Sequence, residues 1–208
     1  MPFSAYKTVS SVLKEFQITY TESNFIVETE FHVSDYFRED LEFTMREGVV
    51  DNSELAICEN LIYPVIKEVW KRYYSGFVLW SHQSLTYDQY LSGFPEYILA
   101  KRSLLGKVVF EQPYFLLVEA KQDNFENGWA QCLAEMIAAH RLNENPDQEV
   151  FGIVSNGRVW QFGKLKSHSF TKNKQSYLID DLNRLFATIN YVFQECELLL
   201  NAEMRDRN

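Results

Sequence analysis

The chain has 208 residues, 46% of them hydrophobic, 15% aromatic and 24% charged, with a formal net charge of −9. That length suits one domain with a substantial core. The negative balance argues against a protein that coats nucleic acid through bulk electrostatics, and no apolar run approaches the ~18–20 residues that span a bilayer.

The charge is unevenly spread. Residues 1–73 hold 7 basic and 13 acidic side chains, whereas 150–179 hold no acid and carry Arg158, Lys164, Lys166, Lys172 and Lys174. The first third reads as a surface for a second copy of the chain or a partner protein, or simply as a solubilising face. The basic stretch reads as phosphate contact or as a solvated hairpin and loop. The N-terminus lacks the regions of a signal peptide. Cys58, Cys132 and Cys196 are widely spaced and odd in number, which suits buried free thiols in a reducing cytoplasm. No CxxC or HExxH spacing supports a zinc site.

Ser4 to Glu15 fits a short helix, and 16–22 and 25–33 read as strands. Ser34 or Asp35 is placed to cap a helix that runs to about Arg46 and ends at Gly48. Asp51-Asn52-Ser53-Glu54 has the form of a capping box. After it Leu55, Cys58, Leu61, Ile62, Val65, Val69 and Trp70 repeat at the spacing of a core-facing helix. Pro64 inside this pattern predicts a kink, and Glu59 stands one turn from Leu55 and Ile62, beside the apolar face.

Gly76 to Trp80 is a strand candidate, and Ser81 to Gly93 a loop or short helix. Residues 97–102, 108–110 and 115–121 read as further strands, with Gly106-Lys107 as a turn. Glu126 to about Leu142 is helical, with Trp129, Leu133, Met136, Ile137 and His140 on one stripe and Gln131 and Glu135 on another face. His140 there reads as a packed core histidine. Asn156-Gly157 joins strands 150–155 and 158–162 as a tight hairpin. Residues 167–176 read as a polar basic loop, and Ile179 to Leu200 as a packing helix.

The run Phe115-Leu116-Leu117-Val118 is apolar at every position, as in a strand buried on both sides. It ends in Glu119-Ala120-Lys121, where the acid and the base share a strand face. Leaving either buried and unpaired would cost several kcal/mol, on the order estimated for isolated charges. If strand 97–102 pairs with this one, Glu96 approaches Glu119. Two adjacent carboxylates repel, and a divalent cation relieves that repulsion. Mg²⁺ prefers oxygen ligands and keeps several waters; it can activate a water beside a phosphoryl group. Lys121 beside it would orient or deprotonate that water, or neutralise the phosphate.

Pro95-Glu96 followed by Glu119-Ala120-Lys121 resembles the signature of the PD-(D/E)XK nuclease superfamily, the restriction-endonuclease-like fold, over roughly residues 54–163. Glu96 stands where Asp is commoner. The resemblance implies an α/β fold with an αβββαβ core, a mixed central sheet flanked by helices. It would form one domain with an N-terminal α+β elaboration over 1–50, a nuclease-like core over 51–163, and a basic loop and C-terminal packing helix over 164–208. It implies Mg²⁺, or Mn²⁺ in its place, held by Glu96, Glu119 and the backbone carbonyl of Ala120. Glu59 would assist, matching with Pro64 an acid and a proline in the family's first core helix. Gln131 matches a glutamine that several branches aim at the active site, although Glu135 replaces the tyrosine that often follows it. Residues 154–162 are similar to a hairpin in the nuclease-like domains of type I restriction-enzyme motor subunits.

The activity so implied is phosphodiester hydrolysis, with DNA as substrate and Lys101, Arg102, Arg158, Lys164 and Lys166 as candidate phosphate contacts. No base-reading element is visible. The alternatives are a non-catalytic binding module, in which Glu119 and Lys121 form a structural ion pair, and a nuclease subunit that needs a partner.

Overall fold

A computed structural model describes residues 2–206. Its centre is built from the segments that are apolar at every position. Strands β5 (Tyr97–Arg102), β6 (Phe110–Ala120) and β7 (Val150–Ser155) are buried over most of their length. Tyr97 of β5 lies opposite Val118 in an antiparallel ladder, and Ala120 of β6 lies opposite Ser155 of β7 in a parallel one. A parallel connection requires a crossover, and helix α5 (Phe125–Leu142) supplies it.

Outward from this centre come β2 (Phe77–Ser81) beyond β5, and β8 (Val159–Lys166), β9 (Ser169–Asn173) and β1 (Thr19–Ser23) beyond β7. Strand β10 (Tyr177–Leu178) pairs with β8, which makes eight strands in this sheet among the described residues. The order helix, three antiparallel strands, helix, strand is the αβββαβ core expected from the resemblance: a large mixed sheet with helices on both faces.

One face of the sheet packs on the helical segment 54–73 and on α6 (Leu182–Asp206), through Leu61, Val65, Phe115, Ile153, Phe186 and Phe193. The other packs on α5 and on the first residues of the chain, through Phe3, Val12, Ile98, Leu117, Leu133 and Met136.

Several expectations are revised. Residues 25–33 form no strand among the described residues; Phe25 and Ile26 donate their amides to Asn173 Oδ1 instead. The basic stretch 167–176 is no loop throughout, because β9 lies within it and pairs with β8 and, in parallel, with β1. Its one large apolar residue, Phe170, is fully buried, and a five-residue strand with one apolar side chain carries little pattern. Segments 108–110 and 115–121 are largely one strand, β6, whose pairing with β5 slips between Leu99 and Lys101. Pro113 lies in the slipped stretch, and proline cannot donate to a ladder. Residues 81–93 hold a small hairpin, β3 (Leu85–Thr86) and β4 (Ser92–Gly93).

The N-terminal third is part of the body. A turn at Phe3–Ala5 and helix α1 (Val9–Phe16) pack on α5, and α2 (Asp35–Glu47), capped by Ser34 and ended at Gly48 as expected, buries Phe37 and Leu41. Helix α5 is therefore covered on two sides, and of residues 128–139 only Gln131 keeps appreciable exposure. The sheet-facing stripe runs through Gly128, Cys132 and Met136. A side chain at Gly128 would meet Val154 at 2.7 Å, and one at Gly152 of β7 would meet Met136 Sδ at 2.5 Å and Cys132 Sγ at 3.1 Å.

Helix 54–73 begins as α3 (Glu54–Ile57), widens into a π-turn (Cys58–Ile62) and continues as α4 (Tyr63–Tyr73). The Tyr63 amide donates to Cys58 five residues back, which opens the helix where the Pro64 ring would otherwise press on the preceding turn. Leu55, expected on the core stripe, is 60% exposed; Ile57, Cys58, Leu61, Ile62 and Val65 are buried.

Because Gly152 is in contact range of α5, Gly152→Val overpacks the sheet–helix interface. The expected result is a loss of about 1–3 kcal/mol, read as a lower urea midpoint at unchanged slope; a wild-type midpoint would show that the helix is free to move away.

Candidate active site

The site forms at the end of the sheet where β6 and β7 both finish. Because β5 is antiparallel to β6, the residue before β5 arrives at the same end. Tyr97 opposite Val118 therefore brings Glu96 beside Glu119. Alternation along β6 puts Glu119 and Lys121 on the face covered by α5, which carries Gln131 and Glu135 on successive turns. A cleft of about 520 Å³ opens here, lined among others by Glu54, Glu96, Glu119, Lys121 and Gln131.

Glu119 is 2% exposed and accepts an ion-pair contact from Lys121 Nζ at 2.9 Å. Lys121 Nζ also lies 3.3 Å from both carboxylate oxygens of Glu54. Burial by itself would drive the lysine toward its neutral form, but the two carboxylates outweigh it and raise its pKa. Lys121 is thus an ammonium at neutral pH, a source of charge rather than a base. Glu96 Oε2 lies 2.7 Å from His82 Nε2 and 3.5 Å from the Cys58 thiol, which donates to it. Burial, then the Glu96 charge, pushes that thiol up.

Glu135 was read from the sequence only as a departure on the helix. It is 1% exposed. Burial first, then the charges of Glu119 and Glu96, raise its pKa well above the usual carboxylate range, and a hydrogen bond to Glu119 adds to this. Its Oε2 is buried without a hydrogen-bond partner. Burial also pushes Glu119 up to about 7; Lys121 opposes the shift, and Glu96 and Glu54 reinforce it. Four carboxyl groups thus gather around one ammonium.

Two expected features move. Glu59 is exposed and does not line the cleft. It stands one turn after Leu55, which faces solvent, so the buried stripe turns it outward. The helix acid that reaches the site is Glu54. Ser53 caps the helix by accepting the Ala56 amide at 3.1 Å, and Glu54, instead of closing a capping box, points to Lys121. The cap pattern located this residue without revealing its partner.

The basic candidates are dispersed. Lys101 and Arg102 lie at the far end of β5 from Glu96, about 17 Å away at the rise of a strand. Lys101 is 3.4 Å from Glu111, and Arg102 Nε donates to the Tyr74 carbonyl at 2.7 Å. Lys164 pairs with Glu149 at 3.1 Å, and both Lys164 and Lys166 lie toward the opposite end of β8 from the cleft. Arg158 stays near, 3.7 Å from Asp51, whose carbonyl accepts from the cleft residue Gln122. The cation that joins Lys121 in the cleft lining is Lys7.

Among the described residues no three His, Cys, Asp or Glu side chains converge as a ready-made metal cage. Mg²⁺ does not require one, since it binds through one or two carboxylates and keeps its waters. The donors present are hard oxygens; burial first, then neighbouring carboxylates, suppresses the acidity of Glu119 and Glu135, and a buried Glu135 oxygen lacks a partner. This chemistry fits a hydrated hard cation at Glu96 and Glu119. The carbonyl of Ala120, the last residue of β6, lies at the same end of the sheet.

No protein-family model matches the sequence, and no curated protein matches it. Among solved structures the chain is similar to the type IIG restriction endonuclease BpuSI, at 12% identity and a TM-score of 0.38. The likeness covers 72% of this chain and 16% of that one, so the chain spans about a sixth of that protein. At that TM-score it carries no weight for the chemistry.

Both raised carboxyls hold protons in the folded state at pH values where unfolded carboxyls have lost them. The fold therefore binds more protons than the unfolded chain between about 4.5 and about 7, and without metal its stability falls as pH rises through that window. Glu135→Gln removes one of these groups. Urea denaturation in chelator is expected to show the variant more stable than wild type at pH 8, with the advantage shrinking at pH 5. Equal pH slopes would mean that Glu135 is ionised or solvated in the fold.

Proposed function

We propose that the chain is a metal-dependent phosphodiesterase that hydrolyses nucleic acid, with DNA as its substrate. The observation that supports this most is the meeting of Glu54, Glu96, Glu119, Lys121 and Gln131 in one cleft at the strand ends, with more carboxyl groups than the single ammonium among them can balance.

In this reading Glu96, Glu119 and the Ala120 carbonyl hold Mg²⁺, which when bound supplies Lewis acidity and a water of lowered pKa. The remaining roles belong to the chain. Lys121, held as an ammonium between Glu119 and Glu54, donates to a non-bridging phosphate oxygen and offsets the charge that grows there. The Gln131 amide both accepts and donates, which suits it to fix the orientation of the attacking water. His82 braces Glu96 at 2.7 Å, and Glu135 backs Glu119 from the helix.

A non-catalytic module on the same fold is the second reading. What favours it is that Lys121 is already satisfied by two carboxylates without any cation, as a structural ion network would be.

Cleavage of linear, circular and single-stranded DNA with Mg²⁺ or Mn²⁺ separates the two. Wild type is expected to cut, and Lys121→Ala and Glu119→Ala to lose roughly 100-fold or more in rate, as on removal of a group that stabilises transition-state charge. No cutting by wild type, together with no Mn²⁺ binding by calorimetry, would leave the non-catalytic reading standing.

A further inference from the structure

The cleft contains two features outside the carboxylate–lysine cluster. One is Phe94, 68% exposed and two residues before Glu96. The other is Lys7, exposed on the rim and contributed by the N-terminal segment. Neither belongs to a loosely held stretch. Gly93 packs so closely on the Phe3 ring that a side chain there would meet it at 2.7 Å, and Pro95 restricts Phe94 to extended backbone. The Phe94 ring is thus presented to solvent from a backbone fixed on both sides. Lys7 follows Tyr6, which is 4% exposed and donates its hydroxyl to Glu15 at 2.9 Å, and the Phe3–Ala5 turn before it is held by the buried Phe3.

The Phe94 ring stands two-thirds exposed beside an acidic site. It suits a nucleobase, since every base offers a π-face and stacking does not require base reading. A flexible cation lining the same cleft suits the adjoining phosphate. A duplex would hide its base faces and would need a broad basic surface, yet Lys101, Arg102, Lys164 and Lys166 lie away from the cleft, and the rim carries Asp123.

We propose that the cleft takes a single strand of nucleic acid, with one base stacked on Phe94 and its neighbouring phosphate on Lys7. This rests on the nuclease reading for its chemistry but not for its binding. Phe94 and Lys7 are specificity residues that touch the strand; the reacting groups remain Glu96, Glu119 and Lys121.

The test is fluorescence anisotropy with labelled single-stranded DNA, single-stranded RNA and duplex DNA of one sequence, in Ca²⁺ so that binding is separated from cutting. Wild type is expected to prefer the single strands. Phe94→Ala should weaken single-strand binding about tenfold, in line with the loss of one base stack, while Phe94→Trp retains it. Lys7→Ala should lower the salt slope by about 1. Both positions are exposed, and thermal melts at wild-type midpoints would show the variants folded. The DNA and RNA arms decide which strand is preferred. Equal or tighter duplex binding, with Phe94→Ala unchanged on every probe, would overturn the proposal. Cleavage is scored separately in Mn²⁺: single-strand binding through Phe94 without cutting would remove the nuclease reading and keep the strand-binding one. Cutting of duplex alone, indifferent to Phe94 and Lys7, would do the reverse.

Discussion

The contact on which the site depends is the ion pair between Glu119 and Lys121 at the end of β6. A carboxylate this deeply buried is costly unless it is paired. A second acid, Glu54, at the Ser53-capped start of helix 54–73, also contacts the ammonium at 3.3 Å. The antiparallel register of β5 places Glu96 beside Glu119. The fold also sets Glu135 on the overlying helix against Glu119, where burial and then the charges of Glu119 and Glu96 raise its pKa. Lys121 pairs with two of these carboxyl groups, Glu119 and Glu54.

The N-terminal residues take part in this arrangement. Their turn and short helix cover the outer side of α5, whose Gly128 and Cys132 pack on Val154 and Ile153. They also bring Lys7 and Ser4 to the rim of the cleft. At the other edge β1 extends the sheet by pairing with β9, so the segment contributes to both the scaffold and the mouth of the site. Its acidity does not weaken this role, because its charged side chains face outward along α2, away from the buried Phe37 and Leu41.

Of the remaining basic residues, Lys101 and Lys164 lie away from this cluster. Strand alternation and pairing sent Lys101 and Lys164 to carboxylates of their own, Glu111 and Glu149. What faces the cleft is mostly carboxyl and amide, with an aromatic ring at the edge. If the cleft takes nucleic acid as proposed, such a surface suits a stacked base better than the uniform charge of a duplex backbone.

The sequence alone determined the central strands, because residues 97–100, 115–118 and 150–154 are apolar without interruption and only a sheet buried on both faces accommodates such runs. It also determined the Asn156-Gly157 hairpin and the helix starts near Ser34 and Ser53, since each depends on local chemistry, whereas the approach of Glu96 to Glu119 followed only once β5 paired with β6. Tertiary structure decided the rest. Glu54 rather than Glu59 reaches the site because a π-turn and an exposed Leu55 set the phase of the helix, and no local rule fixes that phase. Glu135 became a buried acid because the fold set α5 against Glu119 of β6, and β9 became a strand because β8 and β1 flank it. Pairings across a hundred residues or more leave no periodic trace in either partner; they exist only once the sheet has brought both together.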